Sequence, residues 1–364
     1  MPLTALAGIQ TPAPPSIAAT GYLLIDMDSD TILAAKDAEQ RLEPASLTKI
    51  MTAYVVFCKL RDDTIKLSDE VLVSEKAWKT PGSRMFIEVN KHVSVENLLK
   101  GMIIQSGNDA SVALAEYAAG SEEAFANLMN SHAQRLGMNH THFANATGLP
   151  HEDHYTTPRD ITLVTEASIR EFPELYKLYA KKEYTYNDIR QRNRNRLLWR
   201  DDSVDGVKTG HTEAAGYCLV ASAKRDGMRL ISVIMGTTGK KVRLNESLAL
   251  LNYGFSFFKT HRLYGAGTQL ASTRIWMGDR KEMALGLADD LYVTIPRQQY
   301  DNLYTHTEIR PQLQAPASKG DKVGEVIIEL EDEVITRQPL VVLEDVPKGG
   351  IWRRVIDTVL MLFE

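Results

Sequence analysis

A chain of 364 residues with 44% hydrophobic and 24% charged content has material for a large packed domain plus a smaller one, without a metal or disulfide staple. Its formal charge of −5 argues against a dedicated nucleic-acid binder, which normally carries a basic surface. Its two cysteines, Cys58 and Cys218, lie far apart and outside any CxxC pair, so a zinc knuckle or thioredoxin-like site is not supported. They read as small buried hydrophobes, with a disulfide between them left open.

Residues 1–20 lack a basic stretch followed by a continuous apolar run, so no signal peptide is visible. They read as a flexible arm rich in proline, alanine and threonine. Gly21–Asp26 and Thr31–Ala35, joined by a turn at Asp28-Ser29-Asp30, predict a β-hairpin. Pro44 suits a helix start, and Ser46–Leu60 is apolar on nearly every face, which predicts a buried helix. Val95–Gln105, Ala110–Ala119 and Glu122–Leu136 read as further helices, the last closed by Gly137. Val204–Thr209, Gly216–Ala223 and Leu230–Met235 are short β-rich runs. The expected larger domain, residues 21–258, is therefore α/β (α+β), an antiparallel sheet interrupted by a helical insertion.

Beyond Phe258, strand-like runs at Ile275–Met277, Leu291–Ile295, Thr305–Ile309, Val323–Leu330 and Val334–Leu343 predict a small all-β domain over 259–346. The segment 347–364 differs again. On a helical wheel Trp352, Val355, Ile356, Val359, Leu362 and Phe363 share one face, opposite Arg353, Arg354, Asp357 and Glu364. At ~1.5 Å per residue, residues 351–364 make roughly 21 Å, too short and too charged to span a bilayer. A helix lying in the membrane interface fits better than one docked on its own domain, because Pro347-Lys-Gly-Gly350 is expected to detach it and Trp352 and the arginines suit headgroups.

Ser46-Leu-Thr-Lys49 puts a hydroxyl and an amine on one helix face, three residues apart. A serine is a weak nucleophile until a base takes its proton, and lysine serves only when its pKa of ~10.4 is depressed by burial or a second cation. Alone the pattern is weak. Ser106-Gly-Asn108 adds a hydroxyl and an amide in an interhelical loop, and Lys208-Thr-Gly210 adds a cation, a hydroxyl and a close-approach glycine on a strand. All three in this order make coincidence improbable. His151-Glu-Asp-His154 does not have HExxH spacing, and with His140 and His142 it reads as a loop surface rather than a zinc site. No P-loop or dinucleotide-binding glycine pattern occurs, so neither cofactor nor metal is expected.

The ordered triplets are the signature of penicillin-binding proteins and serine β-lactamases. With Glu43–Lys49, Gln105–Ala110, Asp205–His211, Ile189–Asn195, Gly216-Tyr217 and Arg229–Ser232, the chain resembles the low-molecular-mass penicillin-binding proteins that are D-alanyl-D-alanine carboxypeptidases, the penicillin-binding protein 5 and 6 group. That resemblance implies a serine peptidase removing the last D-alanine of peptidoglycan pentapeptides, with β-lactams as covalent inhibitors. It implies Ser46 as acyl-enzyme nucleophile, Lys49 as base, Ser106 as proton relay and Asn108 as holder of the substrate amide. Lys208, Thr209 and His211 would hold the terminal carboxylate beside Gly210, the N–H groups of Ser46 and His211 would form an oxyanion hole, and Arg194 and Arg243 would lie near the cleft. It also implies a periplasmic protein, its leader removed, held on the outer leaflet of the inner membrane by the C-terminal helix. A β-lactamase is the alternative, although the central triplet is Ser-Gly-Asn and no Glu-x-Glu-x-Asn-like segment occurs between Asn145 and Asp160. A sensor acylated once would need a signalling partner or a membrane span, and neither is visible.

Overall fold

The computed structural model describes residues 12–361, so Leu362 and Phe363 of the expected apolar face lie outside the described residues. The chain divides into two compact units, the first ending at Ser256 and the second beginning at Phe257.

The first unit is built on an antiparallel sheet. Strands β1 (Gly21–Asp26) and β2 (Ile32–Lys36) form the expected hairpin, and β3 (Glu183–Tyr186) pairs with β4 (Ile189–Arg192) as a separate ribbon. Strands β5 (Val204–Thr212), β6 (Gly216–Arg225) and β7 (Met228–Thr237) complete the main sheet in the order β2-β1-β7-β6-β5. Strand β5 is therefore an edge, and an edge strand leaves alternate backbone groups unpaired on its open side.

Helix α1 (Thr48–Arg61) is buried from Thr48 to Cys58, as its all-round apolar sequence predicts. A short 3-10 turn over Ala45–Leu47 precedes it and carries Ser46, so the nucleophile candidate sits on the turn rather than inside the α-helix. Helices α2 (Val95–Lys100), α3 (Asn108–Ala119) and α4 (Glu122–Arg135) follow the expected segments. The reading of Val95–Gln105 as one helix needs correction at its end, because Gly101–Gln105 is a π-helical turn. Among the described residues, two long helices are unassigned by the sequence reading. In α5 (Pro158–Glu171) the Thr157 side chain accepts from Asp160 N and proline occupies the first turn, a favourable start. In α6 (Lys240–Phe257) the apolar residues lie on several faces, which hides the helical period.

The arm expected to be flexible is fastened where it is described. Ile17 and Ala19 are buried, and the Tyr253 hydroxyl donates to Pro12 O. Cys58 and Cys218 are both free and buried.

The second unit contains β8 (Phe258–Tyr264), β9 (Gln269–Arg274), β10 (Glu282–Gly286), β11 (Leu291–Pro296), β12 (Leu303–Ile309), β13 (Lys322–Leu330) and β14 (Glu333–Val342). Its larger sheet runs β9-β10-β14-β13-β12, while β8 pairs with β11. Leu285, Val293, Val326, Ile328 and Leu340 fill its core. Ile275–Met277, expected as a strand, instead follows β9 as irregular chain, with Ile275 and Trp276 buried.

Helix α7 (Ile351–Leu360) corrects a further expectation. Its leading segment is not detached, since Asp279 N donates to Pro347 O and Gly349 N donates to Met277 O. A side chain at Gly349 would meet the Gly278 carbonyl at 2.4 Å, so this close approach needs glycine. The helix docks by its polar face: Asp357 is buried and accepts from Met277 N at 2.6 Å, and Arg353 donates to Asp279 O. The apolar face points to solvent, with Trp352 83% and Ile351 77% exposed and Val355, Ile356 and Val359 also exposed. Among the described residues no helix is long and apolar enough to cross a membrane.

Candidate active site

Three segments distant in sequence meet at the start of α1. Lys49 Nζ donates to Ser46 Oγ at 3.1 Å and to Asn108 Oδ1 at 2.7 Å, and it also donates to Thr147 O. Lys208 Nζ donates to Ser106 Oγ at 2.9 Å and to Thr209 O at 3.2 Å. Ser46 is half-buried, whereas Lys49, Ser106, Asn108, Lys208 and Thr209 are buried.

Each position has a local cause. The π-turn ends at Ser106, whose left-handed backbone (φ 65°) turns the chain into α3. A non-glycine residue there costs roughly 1–3 kcal/mol, so its surroundings must hold it. Asp109 supplies part of that hold: its carboxylate accepts from Met85 N and Phe86 N, pinning the segment that faces the loop. Asn108 is oriented by donating to Pro81 O at 2.7 Å. On β5, a side chain at Gly210 would meet Pro44 O at 3.1 Å and Ala45 Cβ at 3.3 Å, so the strand runs directly beside the turn bearing Ser46.

Burial and then the Arg194 guanidinium lower the Lys49 pKa to about 7, against opposing pulls from Asp109 and Glu122. Lys208 is held well below its ordinary value by burial, then by Lys49, Arg194 and Arg243. Neighbouring cations in this pocket thus disfavour one another's charged forms, and a carboxylate beside Lys208 would oppose that effect.

Arg243 is buried and donates to Gly210 O at 2.8 Å and Cys218 O at 3.3 Å, so it braces β5 and β6. Arg194 stands exposed at the mouth, its backbone N–H bonded to Ile104 O. His211 is exposed and lies 4.0 Å from the Tyr217 ring, centroid to centroid.

Other residues at the site carried no signal in the triplets. The loop Asn145–Gly148 supplies the Thr147 carbonyl to Lys49, and Asn145 Oδ1 shapes it by accepting from Thr147 N and Gly148 N. Gly148 has φ +83°, and a side chain there would overlap Ala45 O at 1.8 Å. Asn-x-Thr-Gly reads as a turn, but nothing local says which lysine that turn meets. The nearby histidines disperse: His154 bonds Thr48 Oγ1, His142 bonds Asp153 O, and His140 faces Glu39.

Comparison with known proteins agrees with this geometry. The family model for D-alanyl-D-alanine carboxypeptidase matches residues 9–239, and that for the C-terminal domain of penicillin-binding protein 5 matches residues 258–348. The chain is 47% identical to D-alanyl-D-alanine carboxypeptidase DacC of Escherichia coli, over 99% of this chain and 92% of that protein. It is 42% identical to DacA of the same organism, over 97% and 89%. The crystal structure of penicillin binding protein 5 from Haemophilus influenzae superposes with a TM-score of 0.90 at 42% identity, covering 92% of this chain and 99% of that one. Penicillin binding protein 6B from Escherichia coli gives 0.76 at 34% identity, covering 91% and 97%. A family match over residues 9–239 and near-complete alignment with such relatives place the chain in the D-alanyl-D-alanine carboxypeptidase family.

Proposed function

We propose that the chain is a serine-type D-alanyl-D-alanine carboxypeptidase acting through an acyl-enzyme on Ser46. The observation that carries the reading is Lys49, lowered to about 7 and 3.1 Å from Ser46 Oγ. At its ordinary pKa of ~10.4, a lysine is neutral at pH 7 in only about one molecule in 2,500. At about 7, a large fraction is a free base.

Lys49 takes the Ser46 proton as Oγ attacks the carbonyl carbon between the two D-alanines. The oxyanion meets the Ser46 and His211 N–H groups, the second offered by edge strand β5. As the C–N bond breaks, a proton returns through Ser106, the partner of Lys208, to the departing amine. Water then attacks the ester by the same route in reverse, releasing the shortened peptide. Lys208 and Thr209, with His211 at the rim, hold the terminal carboxylate through charge-assisted bonds. Asn108 holds the donor amide, Gly210 lets the donor backbone approach, and Arg194 and Arg243 supply positive potential. β-Lactams enter as carbonyl compounds bearing the same carboxylate.

A class A β-lactamase activates its deacylating water with a glutamate. Here the acidic groups that act electrostatically on Lys49 are engaged elsewhere: Asp109 with backbone N–H groups, and Glu122 with Lys76 and Ala146 N. That favours the peptidase. The outward apolar face of α7 supports attachment to a membrane surface, consistent with a periplasmic enzyme working on peptidoglycan at the outer leaflet of the inner membrane.

The test pairs two measurements on wild type and Ser46→Ala. Wild type should release D-alanine from a pentapeptide ending in D-Ala-D-Ala and gain one penicillin adduct by intact mass, mapped to Ser46. The variant should do neither. An adduct mapped to Ser106 would reverse the assignment, and rapid penicillin turnover without D-alanine release would favour the β-lactamase.

A further inference from the structure

Residues 189–196 read Ile-Arg-Gln-Arg-Asn-Arg-Asn-Arg, and from Arg190 onward burial alternates with position. Gln191, Asn193 and Asn195 are buried, at 4%, 2% and 1% exposure, while Arg190, Arg192, Arg194 and Arg196 are all exposed. Each buried amide is fastened to backbone. Gln191 Nε2 donates to Met85 O at 3.0 Å, Asn193 Nδ2 to Lys181 O at 3.0 Å, and Asn195 Nδ2 to Gly206 O at 2.8 Å. The alternation begins on β4, as expected of a strand, and continues through a bend at Arg194 to Arg196, where a 3-10 turn starts, so that the buried amides pin a row of cations.

The row opens onto a cleft that also contains Phe86, Gln105, Lys240 and Arg243. Six cationic side chains line it, and no carboxylate does among the described lining residues. Two of the row have partners: Arg190 pairs with Glu183, and Arg196 lies over the Trp199 ring. Arg192, Arg194 and Lys240 have no side-chain hydrogen bond or ion pair among the described residues. Unpaired cations side by side repel one another, and an anion relieves that repulsion. Gln105 adjoins Ser106, and Arg194 acts electrostatically on both Lys49 and Lys208, so the row begins at the catalytic cleft.

We propose that this arginine row, with Lys240, is a subsite for acidic groups of the acyl donor upstream of its D-Ala-D-Ala end. The terminal carboxylate is already assigned to Lys208 and Thr209, so the row serves a second, internal carboxylate. Arg192 on β4, with Arg194 and Lys240 lining the same cleft, offers that carboxylate the cations of the cleft that no side chain engages among the described residues. The inference rests on the carboxypeptidase reading above.

The test uses full-length protein and two matched donors, N-acetyl-Glu-Lys(acetyl)-D-Ala-D-Ala and the same peptide with Gln in place of Glu. Wild type should prefer the Glu donor in kcat/KM by about two- to fivefold at low ionic strength, and the preference should shrink as salt rises. Arg192→Gln combined with Lys240→Gln should remove the preference while leaving turnover of the Gln donor and penicillin acylation unchanged. Unchanged penicillin acylation separates loss of the subsite from a folding defect. Equal rates on both donors with wild type would overturn the proposal, as would a preference that survives in the double variant. Release from neither donor would instead overturn the carboxypeptidase reading on which it stands.

Discussion

Burial and Arg194 together bring Lys49 down to about 7, and the consequence is a pH dependence of defined sign. Below the folded pKa, Lys49 is protonated and cannot accept the Ser46 proton. The second-order rate of penicillin acylation should therefore rise about tenfold per pH unit at acidic pH and flatten above about 7. Arg194→Gln removes a cation that disfavours Lys49-H⁺, so its midpoint should move to higher pH. A profile whose midpoint does not move would show that burial alone sets the lysine. Lys49→Arg retains a positive charge but supplies no free base near neutrality, and acylation should fall by at least about a hundredfold.

At the scale of elements, the turn carrying Ser46 depends on the loop crossing it. Gly148 has φ +83°, and a β-carbon there would lie 1.8 Å from Ala45 O. Gly148→Ala should therefore displace either the Thr147 carbonyl from Lys49 or the Ser46 turn itself. The expected outcome is a large loss of penicillin acylation together with a fall in melting temperature, since both strain and overlap oppose the native geometry. Helix α7 makes a different prediction. It is held by Asp357 and Arg353 and leaves Trp352, Val355, Ile356 and Val359 outward. Replacing Trp352 and Val359 with Glu should abolish sedimentation with vesicles containing phosphatidylglycerol and leave D-alanine release from small peptides near normal. Pelleting equal to wild type would remove the helix from the role of anchor.

For the whole molecule, the decisive feature is that each unit has a core of its own, one around α1 and the other between β9 and β14. Every residue assigned to the chemistry, from Ser46 to Arg243, belongs to the first unit. Covalent occupancy by penicillin should then stabilise only that unit. Calorimetry should resolve two transitions, with acylation raising one by about 2–4 °C for each kcal/mol of stabilisation and leaving the other in place. A single transition that shifts as a whole would show that the units unfold together.

The sequence by itself determined what depends on local period and residue chemistry. Apolar residues on every face of Ser46–Leu60 required burial, Ser46 and Lys49 one turn apart required proximity, and the two faces of 351–360 were legible on a wheel. Tertiary structure alone decided which distant groups complete these features. The Thr147 carbonyl reaches Lys49 from 98 positions away and Asn108 from 59, and chain spacing carries no record of such meetings. A wheel likewise shows that α7 has two faces, but not that the polar one docks, because that depends on the Met277 N–H, which donates to Asp357 from 80 positions away. The arginines stand at every second position of 190–196 in the sequence, a pattern with no meaning by itself. Their common exposure depends on Met85, Lys181 and Gly206 offering carbonyls to the intervening amides, contacts that exist only once the chain has folded.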